Sequence, residues 1–312
     1  MSEYLLVDAN ALGYAAHNST VLTTADGREV QAAFHMLNMI KRQMRENPSY
    51  DRVLFLWDNR ACFRYEIYPE YKGKREDTPA KKESRAAYKE ISPTIKSMLD
   101  NLGALQIDAD GFEADDVAAY LSRSLVRQGH IVKLITGDGD WKQLINPSVS
   151  WSDPRMMYRT CHHVTFESVT GYATTQKFLE AKALEGDSSD NITGVPGIGS
   201  KTAMAIMQHF GSVKELFIQR KKLGEFTKEN LPNAVLSRAR KKLNDFTTRE
   251  GFSIYYRNMK LMNLLDESRD KEVKRAMNYQ LPQKCTAAFF DQCDDMNFNA
   301  MLSDMPAWEN LF

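Results

Sequence analysis

Acidic residues in this sequence collect at the ends of apolar runs. Asp8 closes Tyr4-Leu5-Leu6-Val7, and Asp58 closes Arg52-Val53-Leu54-Phe55-Leu56-Trp57. Asp138 and Asp140, set among glycines in Gly137-Asp138-Gly139-Asp140-Trp141, follow the run from Ile131 to Thr136. Glu113-Ala114-Asp115-Asp116 opens a helical stretch, and Asp187 and Asp190 stand in Gly186-Asp187-Ser188-Ser189-Asp190-Asn191. Taken singly, each group has an ordinary alternative: acids favour first helical turns, and Asp with Gly makes plain turns or caps. Gathered in one cleft they cannot all ionise unaided, because like charges raise one another's pKa. Divalent cations resolve that conflict. The donors are all oxygens, with no His or Cys among them, so the set predicts Mg²⁺ or Mn²⁺ rather than Zn²⁺. Two such ions about 3.5–4 Å apart activate a water and stabilise the leaving oxygen of a phosphodiester.

Two further segments suit a polyanion. Phe63-Arg64-Tyr65 and Tyr68-Pro69-Glu70-Tyr71-Lys72-Gly73-Lys74-Arg75 interleave aromatics with cations, as a strand of nucleic acid needs for its bases and phosphates. A solvated basic helix with buried aromatics is the other reading. The stretch onward to about Ser92 is polar and helix-prone, and suits a mobile cover. Gly194-Val195-Pro196-Gly197-Ile198-Gly199-Ser200-Lys201-Thr202 lets the backbone approach a phosphate, and a helix starting near Ser200 offers free N–H groups to an anion. It is not a P-loop: the Walker spacing is not met and no strand precedes it. An ordinary glycine-rich turn between helices stays open.

The elements that must hold these residues follow from the apolar pattern. The runs at Tyr4–Val7, Arg52–Trp57, Ala104–Ile107 and Ile131–Thr136 read as buried parallel strands. Helical faces lie between them, with Phe34, Leu37, Ile40 and Met44 on one and Val117, Tyr120, Leu121 and Leu125 on another. Alternation of this kind predicts an α/β fold, a central and mostly parallel sheet flanked by helices. Such sheets bind ligands at the carboxyl ends of their strands, where these acids fall. Residues 1–166 form this core, 167–281 a helical region, and 282–312 a poorly ordered acidic tail on this reading.

Bulk properties set outer limits. The chain has 312 residues, 43% hydrophobic and 26% charged, with no apolar run long enough to cross a bilayer. The N-terminus lacks a basic n-region, and the 4 cysteines form no C-x-x-C pair, so a reduced, cytoplasmic, monomeric protein is expected. The net charge of +0 hides segregation: cations cluster from Arg60 to Lys89 and again from Lys221 to Lys242, while no Lys or Arg follows Lys284.

With these motifs in hand, the sequence resembles the flap endonuclease or 5′-nuclease superfamily, which includes phage 5′-exonucleases, phage RNase H enzymes and the 5′-nuclease domain of bacterial DNA polymerase I. The resemblance runs from Tyr4 to about Phe217. It rests on V-D-A-N, W-D, Y-K-G-K-R, E-A-D-D, T-G-D-G-D-W, G-D-S-S-D-N and G-V-P-G-I-G-S-K-T in that order. It implies that Asp8, Asp58, Glu113, Asp115 and Asp116 form a first metal cluster, and Asp138, Asp140, Asp187 and Asp190 a second. It implies that Lys72 and Arg75 contact the scissile phosphate and that Tyr71 stacks on a base. Gly194 to Thr202 would be a helix-hairpin-helix grip on duplex backbone, with a bound K⁺, and residues 69–92 a helical arch passed by a 5′ strand. The implied substrates are DNA and RNA–DNA hybrids with 5′ ends, flaps or nicks, cleaved in replication.

Two rivals fall to specific residues. An aspartyl-phosphate phosphatase needs D-x-D after the first strand, and here Asp8 precedes Ala9-Asn10. A silent junction-binding module has no need of the intact carboxylate set. The tail supports two readings. Its end, Pro306-Ala307-Trp308-Glu309-Asn310-Leu311-Phe312, resembles the short Leu-Phe peptides by which replication enzymes bind sliding clamps. Trp308, Leu311 and Phe312 would then anchor a clamp or a single-strand binding protein; the alternative folds the tail back onto the helical half as core.

Overall fold

The computed structural model describes residues 1–73, 78–156 and 160–312. Its strands are β1 (Glu3–Asp8), β2 (Arg52–Leu56), β3 (Leu105–Ala109), β4 (Ile131–Ile135), β5 (Val149–Ser152), β6 (Thr160–Cys161), β7 (Gly186–Asp187), β8 (Ile192–Thr193) and β9 (Met277–Gln280). The first-half helices are α1 (Ala9–His17), α2 (Gln31–Glu46), α3 (Cys62–Ile67), α4 (Pro79–Leu102) and α5 (Ala114–Arg127). The helical region holds α6 (Phe166–Thr170), α7 (Thr175–Glu185), α8 (Ser200–His209), α9 (Val213–Leu223), α10 (Ala234–Phe246), α11 (Arg249–Met262) and α12 (Asp270–Ala276). Last come α13 (Thr286–Asp295), α14 (Asn299–Leu302) and α15 (Met305–Glu309).

Seven strands form one sheet in the order β6-β5-β4-β1-β2-β3-β9. The four expected strands are parallel neighbours, and β5 joins them parallel to β4. Val7 stands opposite Phe55 on β2 and Ile135 on β4, so the strands end nearly flush and their acids share one edge. Strand order reverses about β1: the chain adds β2 and β3 on one side, then β4 on the other. That switch point is where open sheets bind ligands.

The period of two along each strand builds two cores. Leu5, Val7, Val53 and Phe55 face a layer of α1, α2 and α4 residues including Leu12, Met36, Ile95 and Met98. Leu6, Leu54, Leu56 and Leu134 face α5 and the helical region, through Val117, Ala118, Leu184 and Ile206. Helix α4 starts on Thr78, whose hydroxyl accepts from Lys81 N, with Pro79 in its first turn. Its buried residues are Tyr88, Ile95, Met98, Leu99 and Leu102, so the turns before Tyr88 lie outside the core. These turns make up much of the expected arch; residues 74–77, also within it, lie outside the described residues. No helix among the described residues is long and apolar enough to cross a membrane.

Two expectations need correction. The helical region ends in β9, which pairs antiparallel with β3, Ile107 opposite Tyr279, and returns the chain to the sheet. The tail is not a loose segment. Its helices α13 to α15 pack into the core shared with α2 and α4, not onto the helical region. Trp308 is 1% exposed, tilted against Phe289 and capped by the Lys41 ammonium 4.6 Å from its ring. Leu311 is buried, and Phe312 meets Phe55 edge-on at 5.8 Å. Lys284 Nζ donates to the Glu309 and Phe312 carbonyls (2.7 and 2.9 Å), and ion pairs Arg28–Asp295 and Lys41–Asp304 hold the flanks. Truncating a Trp so buried costs about 3–5 kcal/mol. The anchors expected for a docking peptide are this core's own packing, which overturns that reading.

Candidate active site

Each acid is placed by a local device. Asp8 ends β1 and caps α1: one carboxylate oxygen accepts from Ala11 N (2.9 Å), the other from the Thr136 hydroxyl (2.7 Å). Thr136 itself accepts from Asp138 N (2.9 Å), so it ties the ends of β1 and β4 together. Asp58 reaches across to accept from Ala114 N at 3.0 Å, in the first turn of α5. Asp115 accepts from the Trp141 indole (2.7 Å), and Asp138 from Asp140 N (2.7 Å). Asp187 accepts from the backbone and hydroxyl of Ser189 (2.7 and 2.6 Å).

The helical region brings its acids to the same edge. The hairpin of β7 and β8 carries Asp187 and Asp190, and Tyr71 bridges the two halves. Its hydroxyl lies 2.8 Å from Glu113 and 3.0 Å from Asp190. Lys72 Nζ lies 2.5 Å from Glu113 Oε1 and 3.8 Å from Asp190. Lys182 on α7 contacts Asp140 and stands 3.8 Å from Asp187. Asp115, Asp140, Asp187 and Asp190 line one cavity of about 20 Å³. Among the described residues no three donors already close around a single point, and two ammonium groups, of Lys72 and Lys182, sit among the acids.

The electrostatics show strain between like charges. Burial pushes Asp8 up to about 7, helped by the Asp58 charge. Burial, then Asp138 and Glu113, hold Asp115 well above the carboxylate range. Burial raises Asp138 as well, with Lys182 opposing and Asp190 and Asp187 adding. Burial works against the Lys72 ammonium, but Glu113 and Asp190 outweigh it and keep the group charged. Added positive charge is therefore what this cleft accepts most readily.

Two expected contacts take other positions. Arg64 is no strand-facing cation: it is 4% exposed and bidentate to Asp116 (2.6 and 2.9 Å), with Leu261 O at 3.0 Å. A buried guanidinium must find carboxylates, and this fork supplies them. Asp116 is thereby engaged on both oxygens, and also accepts from Glu113 N at 3.1 Å. Tyr71 is 2% exposed, so its ring cannot stack on a base; its hydroxyl serves the acids instead. Arg75 lies outside the described residues.

Sequence reasoning missed Lys182, Thr136, Trp141 and Tyr88. Lys182 precedes Asp187 on an unremarkable polar helix. Thr136 sits in T-G-D-G-D, and its place between strand and acid was the available signal. Tyr88 on α4 has a buried hydroxyl with no partner among the described residues, beside Asp8 and Asp58.

The glycine segment is a backbone device. Val195 N donates to Leu184 O (2.8 Å), and a Cβ on Gly194 would fall 2.0 Å from Glu185 O, so no side chain fits there. Gly197 has φ 76°, and Val195 and Ile198 pack underneath. Gly199 precedes α8, and Gly197, Gly199, Ser200 and Lys201 face outward, with Thr202 half-buried behind them.

Comparison with known proteins agrees with this architecture. Residues 3–176 match the family model of the 5′-3′ exonuclease N-terminal resolvase-like domain, and 173–266 that of the 5′-3′ exonuclease C-terminal SAM fold. The chain belongs to the 5′-3′ exonuclease family. It is 34% identical over 213 residues to the thermostable DNA polymerase I of Thermus filiformis, covering 68% of this chain and 24% of that protein. It is 32% identical over 242 residues to DNA polymerase I of Bacillus subtilis, covering 75% and 27%. The chain thus spans about a quarter of these relatives' length. In fold it is similar to T5 5′-exonuclease with divalent metal ions (zinc) bound: TM-score 0.68, 24% identity, 95% of this chain and 98% of that one. The catalytic core of Rad2 in complex with DNA substrate shares the fold at TM-score 0.58 and 15% identity, covering 94% and 86%.

Proposed function

We propose that this chain is a metal-dependent, structure-specific 5′-nuclease. It hydrolyses DNA, and RNA paired to DNA, at or near a 5′ end, as flap or primer removal in replication requires. One observation carries the reading: acids from the sheet edge and from the β7–β8 hairpin meet across Tyr71 and Lys72. Family membership and the metal-bound and DNA-bound fold neighbours support it.

Asp8, Asp58, Glu113 and Asp115 hold one divalent cation on this reading, and Asp138, Asp140, Asp187 and Asp190 a second; Asp116, expected among the first set, is taken on both oxygens by Arg64. The all-oxygen donors fit Mg²⁺ or Mn²⁺. When bound, such ions activate a water and stabilise the leaving oxygen. The chain's own groups do the rest. Asp116 holds Arg64 and the first turn of α5, and so orients Glu113 and Asp115. Lys72, charged and held by Glu113 and Asp190, turns to the scissile phosphate when one enters; the resemblance assigns Arg75 to the same phosphate. Lys182 does the same for the second cluster. The Gly194–Thr202 hairpin grips duplex phosphates, and the K⁺ that the resemblance implies would be held by the same segment. On this reading residues 1–166 carry the first cluster with Asp138 and Asp140, and residues 167–281 carry the grip together with Lys182, Asp187 and Asp190 of the second.

A 5′-labelled flap, a nicked duplex and an RNA–DNA hybrid test the proposal. Cleavage with Mg²⁺ or Mn²⁺ is expected, leaving a 5′-phosphate and a 3′-hydroxyl. Cleavage that survives EDTA, or products with a 5′-hydroxyl, overturns it.

A further inference from the structure

Helices α9, α10 and α11 leave a groove that the nuclease reading does not use. It encloses about 750 Å³ and is lined by Val213, Phe217, Ile218, Phe252 and Tyr255. Phe217 is wedged edge-on between Phe246 and Phe252, both at 5.3 Å, so the wall is held in place. Phe252 remains 41% exposed and its neighbour Tyr256 53%. Open apolar surface around a hollow of this size is characteristic of binding sites.

The rim is cationic. Lys214, Arg220 and Lys221 line it, and the one acid among the described lining residues, Glu180, is already engaged. Its carboxylate is buried and accepts from Val213 N (2.7 Å) and from the Gln176 amide (3.1 Å). Arg220 Nε is buried and finds no acceptor among the described residues. A buried charged donor without an acceptor costs stability, and an incoming carboxylate relieves that cost.

The lining favours a peptide over a nucleic-acid strand. A base would bury polar edges, and the groove's neutral amide and threonine side chains already spend their donors on the chain's own carbonyls. The Asn244 amide donates to Phe226 O, the Thr247 hydroxyl to Asn244 O and the Thr248 hydroxyl to Asp245 O. An aliphatic or aromatic side chain brings no such demand. We propose that the groove docks an acidic segment of a partner protein, with an apolar side chain in the hollow and carboxylates on Lys214, Arg220 and Lys221.

The test is peptide-display selection from a random library on the full chain, then fluorescence anisotropy of the selected peptides. Acidic sequences with Phe, Trp, Leu or Ile anchors are expected, with Kd of about 1–100 µM. Lys214→Glu with Lys221→Glu weakens them roughly tenfold or more, as loss of charge complementarity demands. Phe252→Ser weakens them too, and both variants cleave a short flap normally. Peptides that bind the charge-reversed variant as well as the parent overturn the proposal. So does a selection with no acidic binder tighter than about 1 mM. Loss of DNA affinity in the double variant, with no peptide bound by the parent, overturns it by assigning the groove to the DNA face.

Discussion

The carboxylate cleft and the glycine hairpin both meet phosphates on the proposed reading, and they are built on opposite principles. The cleft is made of buried side-chain charge. Its acids repel one another, and Lys72, Lys182 and Arg64 hold them together. The hairpin is made of backbone. Gly194 is there because nothing larger fits, Gly197 takes a positive φ beneath the Lys242 side chain, and Gly199 lies open to solvent. Charge placed at one point suits a reaction. Backbone placed along a surface suits a grip that ignores sequence.

Substitutions should therefore separate rate from affinity, and the largest effect belongs in the cleft. Asp138→Asn is expected to cut single-turnover cleavage by on the order of 10³-fold while leaving duplex affinity intact. A variant that cleaves near the parent rate would remove Asp138 from the chemistry. Lys72→Ala comes next, at roughly 10²-fold in the chemical step with little change in Kd. A pure loss of affinity would move Lys72 to the gripping side of the comparison. The hairpin should answer the other way. Gly197→Asp with Lys201→Ala weakens duplex binding roughly tenfold and flattens the salt dependence by about one phosphate contact. An unchanged salt slope means the hairpin does not face DNA.

The last effect falls on stability and concerns the cleft without metal. Asp8 titrates at about 7 when folded against an ordinary 3.8, so the folded state binds the proton more tightly. Stability from this group is fully present at low pH and is lost as pH rises from 3.8 through 7. In EDTA the melting temperature should fall by roughly 4–8 °C between pH 5 and 8, as a shift of this size implies a loss of about 2–3 kcal/mol. Asp8→Asn should flatten that fall; if the slope survives, other acids dominate it.

The sequence announced the cleft because a strand that stops on an Asp leaves little choice of where the Asp goes. Asp8, Asp58 and Asp138 are legible for that reason, and so is the hairpin, whose glycines mark close backbone contacts. Direction was not legible. An aromatic-cationic run looks the same whether it faces solvent or acids, and Arg64 and Tyr71 turn inward because acids from α5 and the β7–β8 hairpin await them. Lys182 lacked any local mark, since its partners come from distant segments. Strand β9, Met277-Asn278-Tyr279-Gln280, is short and polar, as one edge-exposed strand can be, and shows no alternation to detect. The tail was misread because an acidic run of residues without Lys or Arg suggests solvent. Its Phe289, Met301 and Trp308 instead complete a sheet face that α2 and α4 leave uncovered.

Lys72 adopts φ 56°, a left-handed conformation that a lysine adopts only under constraint, and its N–H donates to Asp190 O at 2.8 Å. Both its backbone and its ammonium thus report to one residue of the β7–β8 hairpin. Asp190 is four residues before Gly194, where the glycine segment begins. Grip and cation are consequently geared together. On the proposed reading, a duplex that shifts the hairpin shifts the ammonium with it. The seating of the duplex and the placement of the cation are then coupled through Asp190, with the Tyr71 hydroxyl (3.0 Å) and the Asn191 amide on Glu70 O (2.6 Å) bracing the same joint.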